Sequence, residues 1–132
     1  MVIAAPEKTG KGAIASGYTY SGHPVGAAAA VACLKETERL QVNVNAAQRG
    51  AELFEGLKAL ANTHESIGDV RGGHGLMCAL ELVADRKTKA PIDKSVIGKV
   101  HRVTYENGAM IRVSGNNIIL SPPLVLTSEH VR

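Results

Sequence analysis

The chain has 132 residues, 45% of them hydrophobic, with 15 lysines and arginines against 12 acids and a net charge of +3. This is enough to bury a real core in one domain, or in one domain plus part of another. The basic residues are scattered, which argues against nucleic-acid binding, and no apolar run is long enough to span a membrane.

Residues 1–16 are rich in Gly, Ala and Lys without periodicity and read as an extended lead-in. The stretch GYTYSGHP at 17–24 follows, with two of the three tyrosines in the chain. Pro24 suits the first turn of a helix, where its missing N–H has no partner to lose. The free amides and positive dipole end of such a helix attract anions, and Thr19 and Ser21 add hydroxyl donors. The stretch therefore reads as an anion-binding turn with aromatic walls, or else as a polar loop before an ordinary helix.

From Pro24 to Leu40 the Ala-rich composition predicts a helix. Its first half is small and apolar on every side, which predicts burial against something large. A second helix is predicted over 44–62, with Val44, Ala47, Ala51, Phe54, Leu57 and Ala61 as its apolar stripe and Gly50 and Gly56 as weak points. VRGGHG (70–75) predicts a tight glycine turn between strands, and Leu76–Val83 a buried strand. The charged stretch 84–91, ending in Pro91, reads as a surface loop.

Asp93 predicts the cap of a third helix with Val96, Ile97, Val100, Val103 and Thr104 on its core face, closed by Asn107-Gly108. Two short strands, Ala109–Val113 and Asn117–Leu120, flank a hairpin-like turn at Ser114-Gly115-Asn116. Thr127 reads as an N-cap with Glu129 in the first turn of a last helix. That helix has barely begun at Arg132, which leads to the expectation of a piece of a longer protein. Cys33 and Cys78 sit among apolar residues and read as buried thiols in a reducing compartment. With no signal-peptide pattern, the cytoplasm is the expected location. The five histidines show no ligand spacing, so no metal site is expected.

Arg112 interrupts the apolar run Ala-Met-Ile-Arg-Val. Its planar fork matches a carboxylate or phosphate. The alternatives are an internal salt bridge to Glu81 or Asp69, or a solvent-facing edge position. Gly72-Gly73-His74-Gly75 is no dinucleotide fingerprint, because a strand follows it where a helix is required. His74 is accordingly expected to face solvent. Neither Glu81 nor Asp85 has a carboxylate partner spaced for acid–base work, and no lysine has an apolar, pocket-like context.

GYTYSGHPVGAAAA, DVRGGHGLMCALELV and NGAMIRVSGNNIILSPPLVLT, in this order, resemble the C-terminal third of class III (omega-type) pyridoxal-phosphate-dependent aminotransferases. The likeness covers roughly residues 12–132. It implies fold-type I homodimers whose active sites are shared across the interface. It implies that Thr19, with Tyr18 beside it, binds the cofactor phosphate of the partner subunit, and that Arg112 clamps the substrate carboxylate. The lysine that bonds the cofactor, the aspartate on its pyridine nitrogen and the phosphate loop belong to parts of the family that this sequence does not match. No catalytic residue is therefore assigned, and the chain alone is expected to be inactive.

The expectation is an α/β fold with α+β character, a short and mostly antiparallel sheet packed with helices. Residues 1–40 are expected to be the tail of a large cofactor domain with an inter-domain helix, and 41–132 a small domain cut at its last helix. The expected reaction moves an amino group between an amine or omega-amino acid and a keto acid such as pyruvate. An aminomutase or decarboxylase relative, or a non-catalytic oligomerisation or binding module, is the alternative.

Overall fold

The computed structural model describes residues 17–131; the lead-in expected over 1–16 lies outside them. Contacts divide the chain between Glu36 and Thr37, and each side is taken by itself. Helix α1 (Pro24–Arg39), which crosses that division in its last turn, starts at its proline as predicted. None of its residues is buried. Cys33, expected to be buried, is exposed. Its own unit offers α1 no second layer among the described residues, so an apolar setting in sequence does not become an apolar setting in space.

On the second side, helix α2 (Val42–Thr63) leads into strands β1 (Ile67–Arg71), β2 (Cys78–Asp85) and β3 (Ala90–Pro91). Helix α3 (Lys94–Glu106), strands β4 (Arg112–Ser114) and β5 (Asn117–Leu120) and the short helix α4 (Ser128–Val131) complete it. The sheet order is β1-β2-β5-β4, with β3 against β2, and every pairing is antiparallel. The predicted loop 84–91 is therefore partly sheet. Its charges stay in solvent, while the backbone of Ala90–Pro91 prolongs the ladder of β2.

Side chains alternate along β2. Cys78, Leu80 and Leu82 point to one face and are buried with Leu57 of α2, Ile97 of α3 and Ile118 of β5. Both helices thus cover the same face of the sheet. The predicted helix stripes hold only in part. In α3, Ile97 is buried and Val100 partly so, while Val96 and Val103 are exposed. In α2, the buried residues are Val42, Gly50 and Leu57, and Val44 is half exposed.

The shift in α2 has a local cause. A Cβ on Gly50 would lie 2.9 Å from the Cα of Gly75 and closer still to that residue's carbonyl group. The helix lies directly on the glycine turn between β1 and β2, where Gly72, Gly73 and Gly75 all hold positive φ. Gly50 is a contact point and not the weak spot its composition predicted.

Arg86 ties the other end of α2 to the sheet. Its Nε donates to the Ile67 carbonyl at 2.9 Å, and its terminal nitrogen donates to the carbonyls of His64, at 3.0 Å, and Ala61. The Ala61 carbonyl lies in the last turn of α2, where carbonyls lack a partner within the helix, and those of His64 and Ile67 lie in the link to β1 and at its start. The Asn45 side chain donates to the Leu124 and Leu126 carbonyls at 2.8 and 2.9 Å, fixing the segment before α4. The predicted caps form: Asp93 accepts from Ser95 N–H at 2.7 Å, and Thr127 Oγ1 accepts from His130 N–H at 3.4 Å.

Gly50→Ala should cost about 1–3 kcal/mol, because backbone must move to admit the methyl group. Gly56→Ala, on the same helix with open space around it, should gain roughly 0.5–1 kcal/mol. Urea unfolding of the two variants should show opposite signs; equal signs would contradict the close approach.

Asp85 accepts from the Thr88 backbone N–H at 2.6 Å and from its hydroxyl at 2.8 Å. These bonds hold its carboxyl below the usual carboxylate range. The folded state thus favours the carboxylate. The stabilisation is present above about pH 3.9, the ordinary aspartate value, and is lost as pH falls through the lower folded value. Asp85→Asn should therefore flatten the acid limb of stability, measured by circular dichroism between pH 5 and about 2.

Candidate functional site

Two separate sets of residues carry the expected site, one on each side of the Glu36–Thr37 division. In the first, Tyr18 to Ser21 form a turn closed by Ser21 N–H on the Tyr18 carbonyl at 2.8 Å. The Tyr18 N–H donates back to Ser21 Oγ at 2.7 Å. His23 N–H on the Tyr20 carbonyl at 3.1 Å and Ala27 N–H on the His23 carbonyl at 2.9 Å carry the turn into α1. Tyr20 and His23 meet edge to face, 5.7 Å between centroids.

Ser21 is thus partly spent on the turn. Thr19 is not: no described residue bonds its hydroxyl, and it is exposed beside Tyr18. The first-turn amides of α1 have no acceptors within the helix. Residues 17–26 contain no carboxylate. A free hydroxyl, free amides and no opposing charge fit a phosphate monoester such as that of pyridoxal phosphate.

The second set surrounds Arg112, the first residue of β4 and so on the edge of the sheet. It pairs with Ile119 of β5. The internal salt bridge considered for it does not form. Asp69 and Glu81 are taken by Arg71, at 3.0 and 4.0 Å. Among the described residues no carboxylate or carbonyl engages the Arg112 side chain, which is exposed. Alternation in Ile-Gly-Asp-Val-Arg places Asp69 and Arg71 on one side of a strand, and that was the sequence signal for their pairing.

Arg112 lines an open cleft of about 950 Å³ between α3 and the β4–β5 hairpin. Ile97, Ile111, Val113 and Ile119 form apolar wall, and Lys94 and His101 stand on the helix side. No acidic residue lines it. The cleft can take an anion with an apolar body, held at the edge-strand guanidinium. Lys94 and His101 escaped the sequence reading because they are two turns apart on α3 and no local pattern links either to Arg112. His74 is exposed, as expected. Among the described residues no group of histidine, cysteine and acidic side chains is placed to hold a metal.

Residues 3–132 match the family described as aminotransferase class-III. An uncharacterized aminotransferase, y4uB, of Sinorhizobium fredii is 40% identical over 124 residues, 91% of this chain and 26% of that protein. The taurine–pyruvate aminotransferase of Bilophila wadsworthia is 36% identical over 120 residues, 86% of this chain and 26% of that one. The solved amine transaminase of an uncultivated Pseudomonas species, in a PLP-bound form, superposes with a TM-score of 0.80 at 43% identity, over 89% of this chain and 27% of that one. The chain spans about a quarter of the length of the curated relatives it matches. Motifs in order, an antiparallel sheet with helices on one face and a family match over nearly every residue agree: the chain belongs to the class-III aminotransferase family.

Proposed function

We propose that this chain forms the carboxy-terminal part of an aminotransferase subunit. The parent enzyme moves an amino group between an amine or omega-amino acid and a keto acid such as pyruvate. The observation that carries this reading is Arg112: a guanidinium with no partner among the described residues, on an edge strand, in a cleft without acids. The pyruvate named for the Bilophila relative supports the acceptor class.

In this reading residues 1–40 belong to a large cofactor domain and the helix leading out of it, and 41–132 to the small domain. The subunits form a homodimer, and Thr19 acts on the cofactor of the partner. Pyridoxal phosphate, when bound, supplies the electron sink that lets the amino-bearing carbon lose a proton.

This chain's own residues bind and orient. The Thr19 hydroxyl donates to a phosphate oxygen, with Tyr18 as a wall beside it. Arg112 holds the substrate carboxylate with two parallel N–H donors, which fixes the reacting carbon as well as the charge. The lysine that carries the cofactor in this family comes from outside these residues. Both cysteines are free thiols, in keeping with a reducing compartment such as the cytoplasm.

In the full-length enzyme Thr19→Ala should cost about 1.5–3 kcal/mol of cofactor binding, the loss of a charge-assisted hydrogen bond. That is a roughly tenfold to hundredfold weaker affinity, read by equilibrium dialysis. A dimer mixing Thr19→Ala with a lysine-dead subunit should keep one working site. Unchanged cofactor affinity in Thr19→Ala refutes the assignment.

Arg112→Ala should raise the KM for pyruvate, by at least about 2 kcal/mol of lost binding, while sparing an uncharged amine such as 1-phenylethylamine. Arg112→Lys should recover little, since a point charge lacks the fork. The melting temperature should hold, because no described residue depends on this side chain. Equal damage to both substrates, with a lower melting temperature, assigns Arg112 to structure instead.

A further inference from the structure

The register of the sheet places two arginines in one row of its open face. Arg71 lies opposite Ala79, Ala79 opposite Ile119, and Ile119 opposite Arg112. The neighbouring row reads Asp69, Glu81, Asn117, Ser114. Residues opposite one another share a face, and so do residues two apart on a strand. Asp69, Arg71, Glu81 and Arg112 therefore all stand on the face opposite the buried row of Leu80, Leu82 and Ile118, with Arg112 at its edge beside the cleft. The face carries two negative and two positive groups.

Their pairing is one-sided. Arg71 bonds Asp69 Oδ2 at 3.0 Å, reaches Glu81 Oε2 at 4.0 Å and donates to Asn117 Oδ1. Arg112 bonds none of them. Glu81 stands two strands from Arg112, about 10 Å across the sheet and about 7 Å along it. An extended arginine and glutamate span that diagonal together. In the structure the cation within reach of the Glu81 carboxylate is Arg71 and not Arg112. Stability does not account for the cluster, since the Arg71 and Asp69 side chains are 51% and 45% exposed and exposed pairs contribute little to folding.

We infer that Arg71 is a positioning residue for Arg112: it holds the carboxylates of the sheet's open face and so leaves the Arg112 guanidinium free for an external carboxylate. This rests on the reading of Arg112 as a carboxylate-binding group, and it adds the device that keeps that group available. Without Arg71, Glu81 turns to the other cation on its face. Arg112 is then bridged internally, and an incoming anion must displace a tethered competitor.

The test uses the 132-residue chain and nitrogen-15 NMR of the arginine side chains, with the Arg112 signal assigned by its loss in Arg112→Lys. Spectra are recorded without ligand and through a pyruvate titration. In Arg71→Gln the ligand-free Arg112 Nε–H should shift and exchange more slowly with water. The pyruvate midpoint should rise roughly 5-fold, the inverse of the fraction of chains left with a free Arg112. Adding Glu81→Gln to Arg71→Gln should restore both readouts, and Arg71→Lys, which keeps the charge, should stay near the starting chain. The inference is overturned by an Arg71→Gln chain with an unchanged Arg112 signal, or by a change that Glu81→Gln does not reverse. Loss of folding in Arg71→Gln also overturns it, since Arg71 is assigned no part in stability. A starting chain whose Arg112 ignores pyruvate refutes the reading of the site itself, while the ligand-free spectra still decide whether Arg71 keeps Arg112 unpaired.

Discussion

Both edges of β2 are hydrogen-bonded, to β1 along one side and to β5 along the other, and everything in the second unit is indexed to that strand. From Cys78 to Leu82, strand alternation sorts its residues into a buried row and a more open row; Val83, next on the open row, is itself buried against Gly68. Cys78, Leu80 and Leu82 take the core, while Ala79 and Glu81 take the open face. Because β5 is registered on β2 and β4 on β5, the same alternation decides which way Arg112 points, two strands away. A one-residue slip at either pairing would exchange Arg112 with an apolar neighbour and put a guanidinium into the core. The cost of burying that charge fixes the register as firmly as the gain from burying the leucines.

The helices are fixed to this sheet by backbone as much as by side chains. Gly50 lets α2 settle on the turn 72–75, with Phe54 and Leu57 brought down beside it. Arg86 then bonds the Ala61 carbonyl in the last turn of the same helix and the His64 and Ile67 carbonyls between it and β1. Between these two points the helix cannot rotate, which explains why its buried face departs from the stripe of largest apolar residues. A side chain of hydrogen, at Gly50, occupies a place that a hydropathy pattern gives to a larger one.

The two parts of the candidate site differ in what makes them available. Thr19 is free because the turn 18–21 uses the Ser21 oxygen and the backbone to close itself. Arg112 is free because another arginine has taken the acids it would otherwise meet. In both cases the group that can bind a ligand is the one left over after its neighbours have satisfied one another. Unsatisfied polar groups are costly only when buried, and both of these stand in solvent.

The sequence by itself determined the order of elements apart from β3, the start of α1 at Pro24, the caps at Asp93 and Thr127, the glycine turn between strands and the family. Each is a local matter, settled by a few neighbouring residues through dihedral preference, capping or a contiguous motif. The sequence also singled out Thr19 and Arg112, since a hydroxyl beside a helix start and a charge inside an apolar run are visible along the chain. Only the tertiary structure decided the partner of each charge. Asp69 and Glu81 were as available to Arg112 as to Arg71 on paper, and strand register gave them to Arg71. It also decided the exposure of Cys33, the tight seat of Gly50 and the meeting of Lys94 and His101 with Arg112 around one cleft. These depend on which distant segments come to lie within a few ångströms of each other, and no window of neighbouring residues carries that information.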